Sequence, residues 1–406
     1  MGEDTRQSMA PLAGLTVLDL THMLSGPYGS MLLADLGACT IKVEPLGGEG
    51  TRRLLADDPL YSRDGVGAYF LTLNRNKESV AIDLKHPAGL QVFMDCVRRV
   101  DAVIDNFAAG VTRRLGIHHE ALAKINPRIV TCSITGFGET GPQRDRPAFD
   151  QVVQAMGGGM SITGDVDGMP TRSGIPIGDL GGGVFAALGV LAALQARGSN
   201  GGGRHVDVSM LDVQVSLLNY MATMYLMSGV VPQRIGNGHF VHVPYNRYAS
   251  ADGHLIVACI GDPFFARLVE VLDVPELRAP EFATQPGRYA AKEFIDEVVG
   301  RELRRHGNAH WLERLAQARI PCGPVNDFAQ ALADPQILAR DMVVEVALNN
   351  GDRLRMPGNP VKIDGWQAAA PTPPPGLGEH TSRVMQTLLG YGPERIAALR
   401  AQGAIA

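Results

Sequence analysis

Residues 15–45 decide the fold, and they read LTVLDLTHMLSGPYG at their start and CTIKVEP at their end. Both ends are nearly continuous apolar runs, as in strands that are buried on both faces of a parallel sheet. Between them, a glycine-containing turn leads into apolar residues at helical spacing, which predict a helix that stops at Gly37. The stretch therefore predicts a strand–helix–strand unit. Its ligand-sized turn follows the first strand, at the sheet edge where open α/β folds bind ligands.

The same alternation of strand-like and helix-like segments continues along the chain. The predicted strands cover residues 79–84, 102–107 and 129–134, and the predicted helices cover 87–99, 112–115 and 120–125. This spacing predicts a large α/β domain, doubly wound, Rossmann-like and mostly parallel, which we place at residues 1–225. From residue 243 the pattern changes to a hairpin that turns at Asp252-Gly253, followed by helical segments. We assign residues 240–335 to a smaller α+β domain.

The composition argues against several classes of partner. The 406 residues carry a net charge of −5 with no long basic run, which argues against nucleic acid or an anionic membrane. The five cysteines are scattered and never spaced as CxxC, which favours a reducing compartment and disfavours a zinc site. Residues 1–10 are polar, unlike a signal peptide, and the longest apolar run, residues 184–194, is too short to span a bilayer. We expect a soluble, cytoplasmic protein.

Several cofactor motifs are missing from the sequence. No GxGxxG follows the first strand, which disfavours a nicotinamide cofactor, and the phosphate-binding loop GxxxxGK[ST] does not occur. The HHE sequence at residues 118–120 is not the metal motif HExxH, and no GxSxG marks a serine hydrolase. The polar sequence NRNK at residues 74–77 predicts a turn first and a phosphate contact second. We expect neither a metal nor a nicotinamide cofactor.

A single acid lies at a predicted helix start. Residues 173–183 read SGIPIGDLGGG, an extended segment and glycine turn that lead into a helix continuing to Leu194. Asp179 has two interpretations here: an N-cap that accepts backbone N–H bonds, or a nucleophile that the flanking glycines leave open to a bulky substrate. Local sequence does not separate them. The apolar residues expected to pack on this helix and on the long helix at 206–227 are Leu180, Val184, Leu188, Leu191, Leu211, Val215, Leu218, Met221 and Tyr225.

Polar and aromatic residues collect where predicted strands end. His22 follows the first strand, Asn106 and Phe107 end a later one, and Phe137 follows a third. Because the carboxyl ends of parallel strands share one edge, this pattern predicts a ligand site there. His22 alone is equally consistent with a structural histidine. The arginine pair that ends at Arg114 is either a contact for ligand phosphates or part of a solvated face.

Taken together, these segments resemble the class III CoA-transferase family, also called CaiB/BaiF, along nearly the whole chain. The matching blocks are residues 12–27, 37–45, 73–77, 106–107, 135–142, 150, 178–179, 244–245, 252–253, 320–325 and 378–381. Members of that family move CoA between carboxylic acids, and one branch is α-methylacyl-CoA racemase. The order of many separate blocks makes the resemblance more specific than any single motif.

The resemblance implies roles for individual residues. Asp179 is implied to be the nucleophile, which forms an aspartyl acyl anhydride and then an aspartyl-CoA thioester. The implied CoA-binding residues are His22, Met23, Leu24, Ser25, Asn106, Phe107, Arg114 and Phe137. The implied glycine loop, which shields the intermediates from water, is Gly236, Asn237, Gly238 and His239. The family fold implies an interlocked, ring-like homodimer in which residues 340–406 return to the large domain.

Departures from the family pattern bear on the reaction. The racemase carries a histidine where this chain has Phe149, which cannot exchange a proton. This difference argues against a 2-methylacyl-CoA racemase or epimerase, which is kept as the alternative. Formyl-CoA transferase differs at Leu24 and Pro45, which puts oxalate and formate in doubt, and residues 236–245 look closer to members that use dicarboxylates. The intact GDLGG at 178–182 speaks against a third hypothesis, an inactive CoA-binding protein. We expect a CoA-transferase with succinyl-CoA as candidate donor; the sequence does not identify the acceptor acid.

Overall fold

The structure is a computed structural model that describes residues 10–406. Its chain forms two compact units. The larger unit comprises residues 10–159, 172–229 and 338–406, and the smaller comprises residues 160–171 and 230–337. Residues 1–9, on which the expectation about a signal peptide depends, lie outside the described residues.

The described residues form thirteen strands and seventeen α-helices. The strands are β1 Thr16–Asp19, β2 Cys39–Glu44, β3 Ser62–Arg63, β4 Val66–Gly67, β5 Lys77–Ala81, β6 Ala102–Asp105, β7 Val130–Thr135, β8 His205–Ser209, β9 Tyr245–Ala249, β10 His254–Ala258, β11 Cys322–Pro324, β12 Val343–Ala347 and β13 Arg353–Pro357. The helices are α1 Ser25–Asp35, α2 Ala68–Leu73, α3 Pro87–Val97, α4 Val111–Leu115, α5 His119–Ile125, α6 Asp150–Met156, α7 Gly159–Ile162, α8 Ile177–Asn200, α9 Met210–Ser228, α10 Asp262–Leu272, α11 Gln285–Ala290, α12 Lys292–Leu303, α13 Asn308–Gln317, α14 Phe328–Leu332, α15 Pro335–Ala339, α16 Thr381–Leu389 and α17 Pro393–Ala401.

The centre of the larger unit is a sheet of six parallel strands in the order β5-β2-β1-β6-β7-β8. From β1 the chain adds strands outward to β5, and from β6 it adds strands outward in the opposite direction. This is the doubly wound Rossmann order, so the predicted α/β fold with its large parallel sheet is confirmed. Ligands of such sheets bind where the order reverses, at the carboxyl ends of β1 and β6.

Each face of this sheet packs against its own helices. On one face, Leu18 and Val103 belong to a buried cluster with residues of α3, α5, α16 and α17. On the other face, Val17 and Ile104 pack with residues of α1 and α8. Successive residues of one strand therefore enter opposite cores, as the two-residue period of a strand requires. Burial on both faces explains why the strands read as continuous apolar runs.

Helix α8 packs through glycine instead of the predicted leucine stripe. A Cβ placed on Gly183 would lie 2.4 Å from the carbonyl oxygen of Ser25, and one on Gly29 of α1 would lie 2.6 Å from the carbonyl oxygen of Gly183. Of the predicted stripe, Val184 is 45% and Leu188 is 58% exposed, whereas Leu191 is partly buried and packs against the cluster that covers the sheet. The packing prediction was therefore wrong for Val184 and Leu188, because α8 meets α1 through glycines, at a distance that only glycine permits.

The helix also extends past its predicted end at Leu194 and continues to Asn200. Contrary to the expectation drawn from residues 184–194, Ile177–Gly198 is long and apolar enough, by length and composition, to cross a membrane. Ala186 and Val190 of this helix are nevertheless fully buried in the cluster that covers the sheet. The helix thus packs as a core helix of the larger unit.

The close approach of α1 and α8 gives a matched pair of expected results. Gly183→Ala should lower the free energy of unfolding by about 1–3 kcal/mol, because the new methyl group collides with backbone atoms that cannot rotate away. Gly198→Ala, in the same helix with nothing within 4 Å of the new Cβ, should raise it by up to about 1 kcal/mol. Urea unfolding of both variants measures the difference. Equal effects of the two substitutions would contradict the contact.

The smaller unit is built on β10, which pairs antiparallel with β9 and β11. The predicted hairpin at Asp252-Gly253 is confirmed, and the amide of Ser250 donates to the carbonyl of Gly253 across the turn. Helices α10, α12 and α13 cover this sheet with a buried apolar cluster.

In the larger unit, Val215 and Tyr225 of α9 were predicted to pack in the core. They do not, because both side chains are about half exposed.

Candidate active site

The predicted residues at the tips of β1 and β6 are held together by hydrogen bonds. The side-chain oxygen of Asn106 accepts from the backbone amide of His22 at 2.9 Å, and its amide nitrogen donates to the His22 carbonyl at 2.7 Å. The ring of His22 lies 5.9 Å from that of Phe107. Burial lowers the pKa of His22, with a further contribution from Lys42, so its imidazole is neutral at physiological pH. Three of the predicted site residues thus meet at the point where the strand order reverses.

A buried polar network fixes the turn that follows β1. Asp19 and Lys77 form a fully buried ion pair with 2.9 Å between Nζ and Oδ2. The ammonium of Lys77 also donates to the carbonyl of Pro27, at 3.0 Å, and Lys42 donates to the carbonyl of Thr21, at 2.8 Å. Both ends of the turn that carries His22 are therefore tied to charged side chains in the sheet.

Residues 23–25 connect this turn to α1. Met23 has a positive φ of 61°, and its amide lies 3.4 Å from a carboxylate oxygen of the buried Glu49. Leu24 is the N-cap residue of α1 and supplies no side-chain cap. The buried hydroxyl of Ser25 has no hydrogen-bond partner among the described residues. The predicted CoA-binding turn therefore presents a helix N-terminus whose amides are not capped by a side chain.

The structure leaves the other two predicted CoA-binding residues apart from this cluster. Arg114 is exposed on α4, and its guanidinium forms no ion pair within residues 10–406. Phe137 follows β7, and the guanidinium of Arg146 lies 5.6 Å from the centre of its ring. In the described chain, no hydrogen bond, ion pair or ring contact joins either residue to the pair of His22 and Asn106. Their roles in CoA binding stay predictions.

Asp179 lies in the first turn of α8 and is not its N-cap. Pro176 is the N-cap residue and cannot accept a hydrogen bond through its side chain. The carboxylate of Asp150, from α6, takes that part: its Oδ1 accepts from the amides of Gly178, at 2.8 Å, and Asp179, at 3.3 Å. The capping interpretation of Asp179 is therefore wrong, because another carboxylate already satisfies the donors at this helix end.

The carboxylate of Asp179 is partly buried and has no protein partner. Within residues 10–406 it accepts no hydrogen bond and forms no ion pair, whereas the buried carboxylates of Asp19, Asp35 and Asp150 all have donors. Burial, together with the charge of Asp150, raises the pKa of Asp179 to about 6. An unpaired carboxylate with raised pKa is more basic than an ordinary aspartate and keeps its lone pairs free, which suits a nucleophile.

Tyr69 of α2 is a neighbour that sequence reasoning missed. Burial raises its pKa to about 12, with contributions from Asp179, Glu49 and Asp150, so its hydroxyl stays protonated at physiological pH. A neutral phenol near Asp179 is a hydrogen-bond donor in the same part of the site. No local signal marks Tyr69, which lies in an ordinary apolar helix far before Asp179 in the sequence. Asp150 was noted as a matching block, but its contact with α8 was not foreseen.

The predicted glycine loop lies in the smaller unit. Gly236 has a positive φ of 60°, Gly236 and Asn237 are exposed, and the amide of Gly238 donates to the carbonyl of Ile235. Nδ1 of His239 accepts from the backbone amide of Val241 at 3.0 Å, and its ring lies 4.4 Å from that of Phe240. This geometry is a tight, partly exposed turn. Its shielding role stays a prediction.

Residues 10–406 contain no group of three or more His, Cys, Asp or Glu side chains arranged to hold an ion. Arg75 belongs to residues 74–77, which the sequence predicted to be a turn or a phosphate contact. Its side chain is buried and forms an ion pair with Asp35 at 2.6 Å. The phosphate interpretation of that segment is therefore wrong.

Comparison with known proteins places the chain next to enzymes of CoA transfer. The family model described as CoA-transferase family III matches residues 12–381. Acetyl-CoA:oxalate CoA-transferase from Acetobacter aceti is 41% identical over 362 residues, which is 88% of this chain and 90% of that protein. Succinate–glutarate CoA-transferase from Agrobacterium fabrum is 36% identical over 385 residues, 93% of this chain and 96% of that protein. The solved structure of a CaiB/BaiF family protein from Brucella suis has a TM-score of 0.84 and 33% identity, and it covers 94% of this chain and 100% of its own.

Proposed function

The chain belongs to CoA-transferase family III and is an enzyme of that class, and we propose that Asp179 is the nucleophile that carries CoA from an acyl-CoA donor to a free carboxylic acid. The observation that supports this role best is the Asp179 carboxylate itself, which is partly buried and unpaired in the described chain, and whose pKa is raised by burial and by the charge of Asp150. The turn of residues 22–25 and the amide of Asn106 are proposed to bind the CoA part of the donor.

The proposed reaction needs no proton source and no ATP. An oxygen of Asp179 attacks the thioester carbon, the C–S bond breaks, and an aspartyl acyl anhydride and CoA thiolate result. The thiolate attacks the aspartyl carbon, so that the donor acid leaves as a carboxylate and an aspartyl-CoA thioester remains. The acceptor carboxylate attacks this thioester and again releases the thiolate. In the last step the thiolate takes the acceptor acyl group and frees Asp179.

We propose succinyl-CoA as donor and a dicarboxylic acid as acceptor. The support is that the names of the two relatives quoted above contain oxalate, succinate and glutarate, all of which are dicarboxylates. Leu24 and Pro45 argued against oxalate as a substrate. We do not exclude oxalate from the proposed acceptors on that ground, because the name of the 41% identical relative contains this acid. The racemase alternative gains no support: Phe149 offers no base and is largely exposed.

Trapping of the covalent intermediates tests the proposal. The protein is incubated with succinyl-CoA or acetyl-CoA and a panel of dicarboxylic and monocarboxylic acids, then treated with hydroxylamine or borohydride and digested for mass spectrometry. The expected products are a hydroxamate or a reduced alcohol at residue 179 and a new acyl-CoA from a dicarboxylic acid. Modification at another residue, or transfer without any adduct, would refute the assignment of the nucleophile.

We also propose that the enzyme is an interlocked homodimer located in the cytoplasm. The support for association is that α8 and α9 present large apolar side chains to solvent in the single chain. The most exposed are Leu188, Val215, Leu226 and Met227. Light scattering after gel filtration should give about twice the chain mass of 43.4 kDa, and Leu188→Glu should weaken the association. A monomer at micromolar concentration would contradict it. The support for a cytoplasmic location is that the five cysteines are free in the single chain, which suits a reducing compartment.

A further inference from the structure

Asp150 joins two helices at the point where the nucleophile is placed. It is the first residue of α6 and is buried. Its Oδ1 accepts hydrogen bonds from the backbone amides of Gly178 and Asp179 at the start of α8. Its other oxygen, Oδ2, accepts from Nε2 of Gln154 at 2.7 Å. Both oxygens are thus held by donors, and the direction of the carboxylate is fixed.

Gln154 extends this contact to the segment before α8. Its side-chain oxygen accepts from the amide of Ser173 at 2.9 Å, and the residue is almost fully buried. The pair of Asp150 and Gln154 therefore ties down residues 173 and 178–179. The fit is tight, because a Cβ on Gly178 would lie 3.0 Å from Oδ1 of Asp150 and 2.7 Å from Cγ2 of Val153.

The charged and titratable groups around this turn come from three elements. Asp150 of α6 accepts from the amide of Asp179, and Tyr69 of α2 is near enough for the charge of Asp179 to raise the pKa of its hydroxyl. From α1, the ring of Tyr28 lies beside Gly183, and burial raises the pKa of its hydroxyl as well. Helix α9 offers Val213 and Leu217, which are apolar. Because both phenols are neutral at physiological pH, the negative charge beside the nucleophile is that of Asp150.

We propose that Asp150 is a positioning residue for the transfer reaction. It caps the helix that carries Asp179, and it places a second negative charge beside the Asp179 carboxylate. Gln154 holds Asp150 in this position. This rests on the proposed function of Asp179. Two neighbouring carboxylates repel each other, and the repulsion disappears when Asp179 becomes a neutral anhydride or thioester. The contact therefore favours acylation of Asp179 over its free, ionised state, in addition to orienting it.

A swap of the two side chains separates charge from hydrogen bonding. The swap variant combines Asp150→Asn with Gln154→Glu. At position 150, the oxygen of the new amide still accepts from the amides of α8, and its NH₂ donates to the new carboxylate at position 154. The second oxygen of that carboxylate still accepts from Ser173. The hydrogen bonds survive, while the charge moves away from Asp179. The measured quantity is the rate of CoA release from succinyl-CoA in a single turnover, as a function of pH.

The swap should recover most of the thermal stability that Asp150→Asn alone loses. The acid limb of its pH–rate profile should move down by about half to one pH unit. At pH 8, acylation of Asp179 should be about 3–10-fold slower than in the wild type. The control is Asp327→Asn, which alters the capping box of Asp327 and Gln330 in the smaller unit and should leave the pH profile unchanged.

A swap variant with the wild-type pH profile and rate would overturn the proposal, because Asp150 would then act only as the cap of α8. If neither variant at Asp150 folds, the salt dependence of the wild-type profile decides, because salt screens the repulsion between the two carboxylates and not the effect of burial. A limb near pH 6 that moves down at high salt supports the effect of charge, and a limb that salt does not move, or one near pH 4, contradicts it. Failure of the proposed function is a different outcome, namely a wild-type protein that transfers no CoA or transfer that survives Asp179→Asn.

Discussion

Replacing Asp179 by asparagine should slow CoA transfer by about 10⁴-fold or more, the scale of losing a covalent nucleophile. The amide has the size and shape of the carboxylate but cannot attack a thioester, so the folded protein and the turn proposed to bind CoA remain. Steady-state assays with the best donor and acceptor measure the rate, and calorimetric titration with CoA shows that binding persists. Transfer within about tenfold of wild type would end the assignment.

Asp212 provides a matched control for this substitution. It occupies the same third position of α9 that Asp179 occupies in α8, but it is exposed. Asp212→Asn therefore makes the same chemical change at an equivalent place in another helix. Its transfer rate should stay within about twofold of wild type, as for an exposed side chain that takes no part in the polar contacts around Asp179.

The same substitution of Asp179 should make the protein more stable above pH 6. Burial and Asp150 raise the pKa of Asp179 from 3.8 to about 6, so the folded state holds a proton that the unfolded state releases between those values. The stabilising contribution is complete below pH 3.8 and is lost as the pH rises through 6. At pH 8, Asp179→Asn should raise the free energy of unfolding by about 1–2 kcal/mol, allowing for solvent screening. A gain at pH 4 as large as the gain at pH 8 would show that charge is not the cause.

The sequence predicted what depends on local pattern. Apolar runs located β1, β2, β6 and β7 to within two residues at either end, and His22, Asn106 and Phe107 were expected at one sheet edge before their contacts were known. Burial on both faces of a parallel sheet leaves a signal in every strand, and the topology then brings the strand ends together.

Contacts between distant segments were not predictable in the same way. Lys77 was read as part of a polar turn but begins β5 and is buried against Asp19, 58 residues away in sequence. Asp150 caps a helix that starts 27 residues later, where local rules offered Asp179. The leucine stripe of α8 follows helical periodicity, yet glycines make the contact with α1. In each case a partner far along the chain overrides the local preference.

Lys77→Met should destabilise the larger unit by about 3–5 kcal/mol, the range for breaking one side of a buried ion pair. Burial alone would raise the pKa of Asp19, yet Lys77, Lys42 and the hydroxyls of Thr21 and Ser30 hold it well below its ordinary value. Without the ammonium, Asp19 remains buried, ionised and less well compensated. Urea unfolding at pH 7 measures the loss. Arg98→Met, which removes the half-exposed partner of Asp95, should cost less than about 1 kcal/mol.

The substitution at Lys77 also reaches the site, because its Nζ donates to the carbonyl of Pro27 in the first turn of α1, directly after the turn that carries His22. We expect the KM for the acyl-CoA to rise more than kcat falls, since the binding turn loosens while Asp179 keeps its surroundings. Adding Asp19→Asn removes the uncompensated charge and should recover part of the stability. It should not recover KM, because the contact to Pro27 stays lost. A double variant that recovers both would show that the charge balance alone, and not the tether to the turn, is what Lys77 contributes.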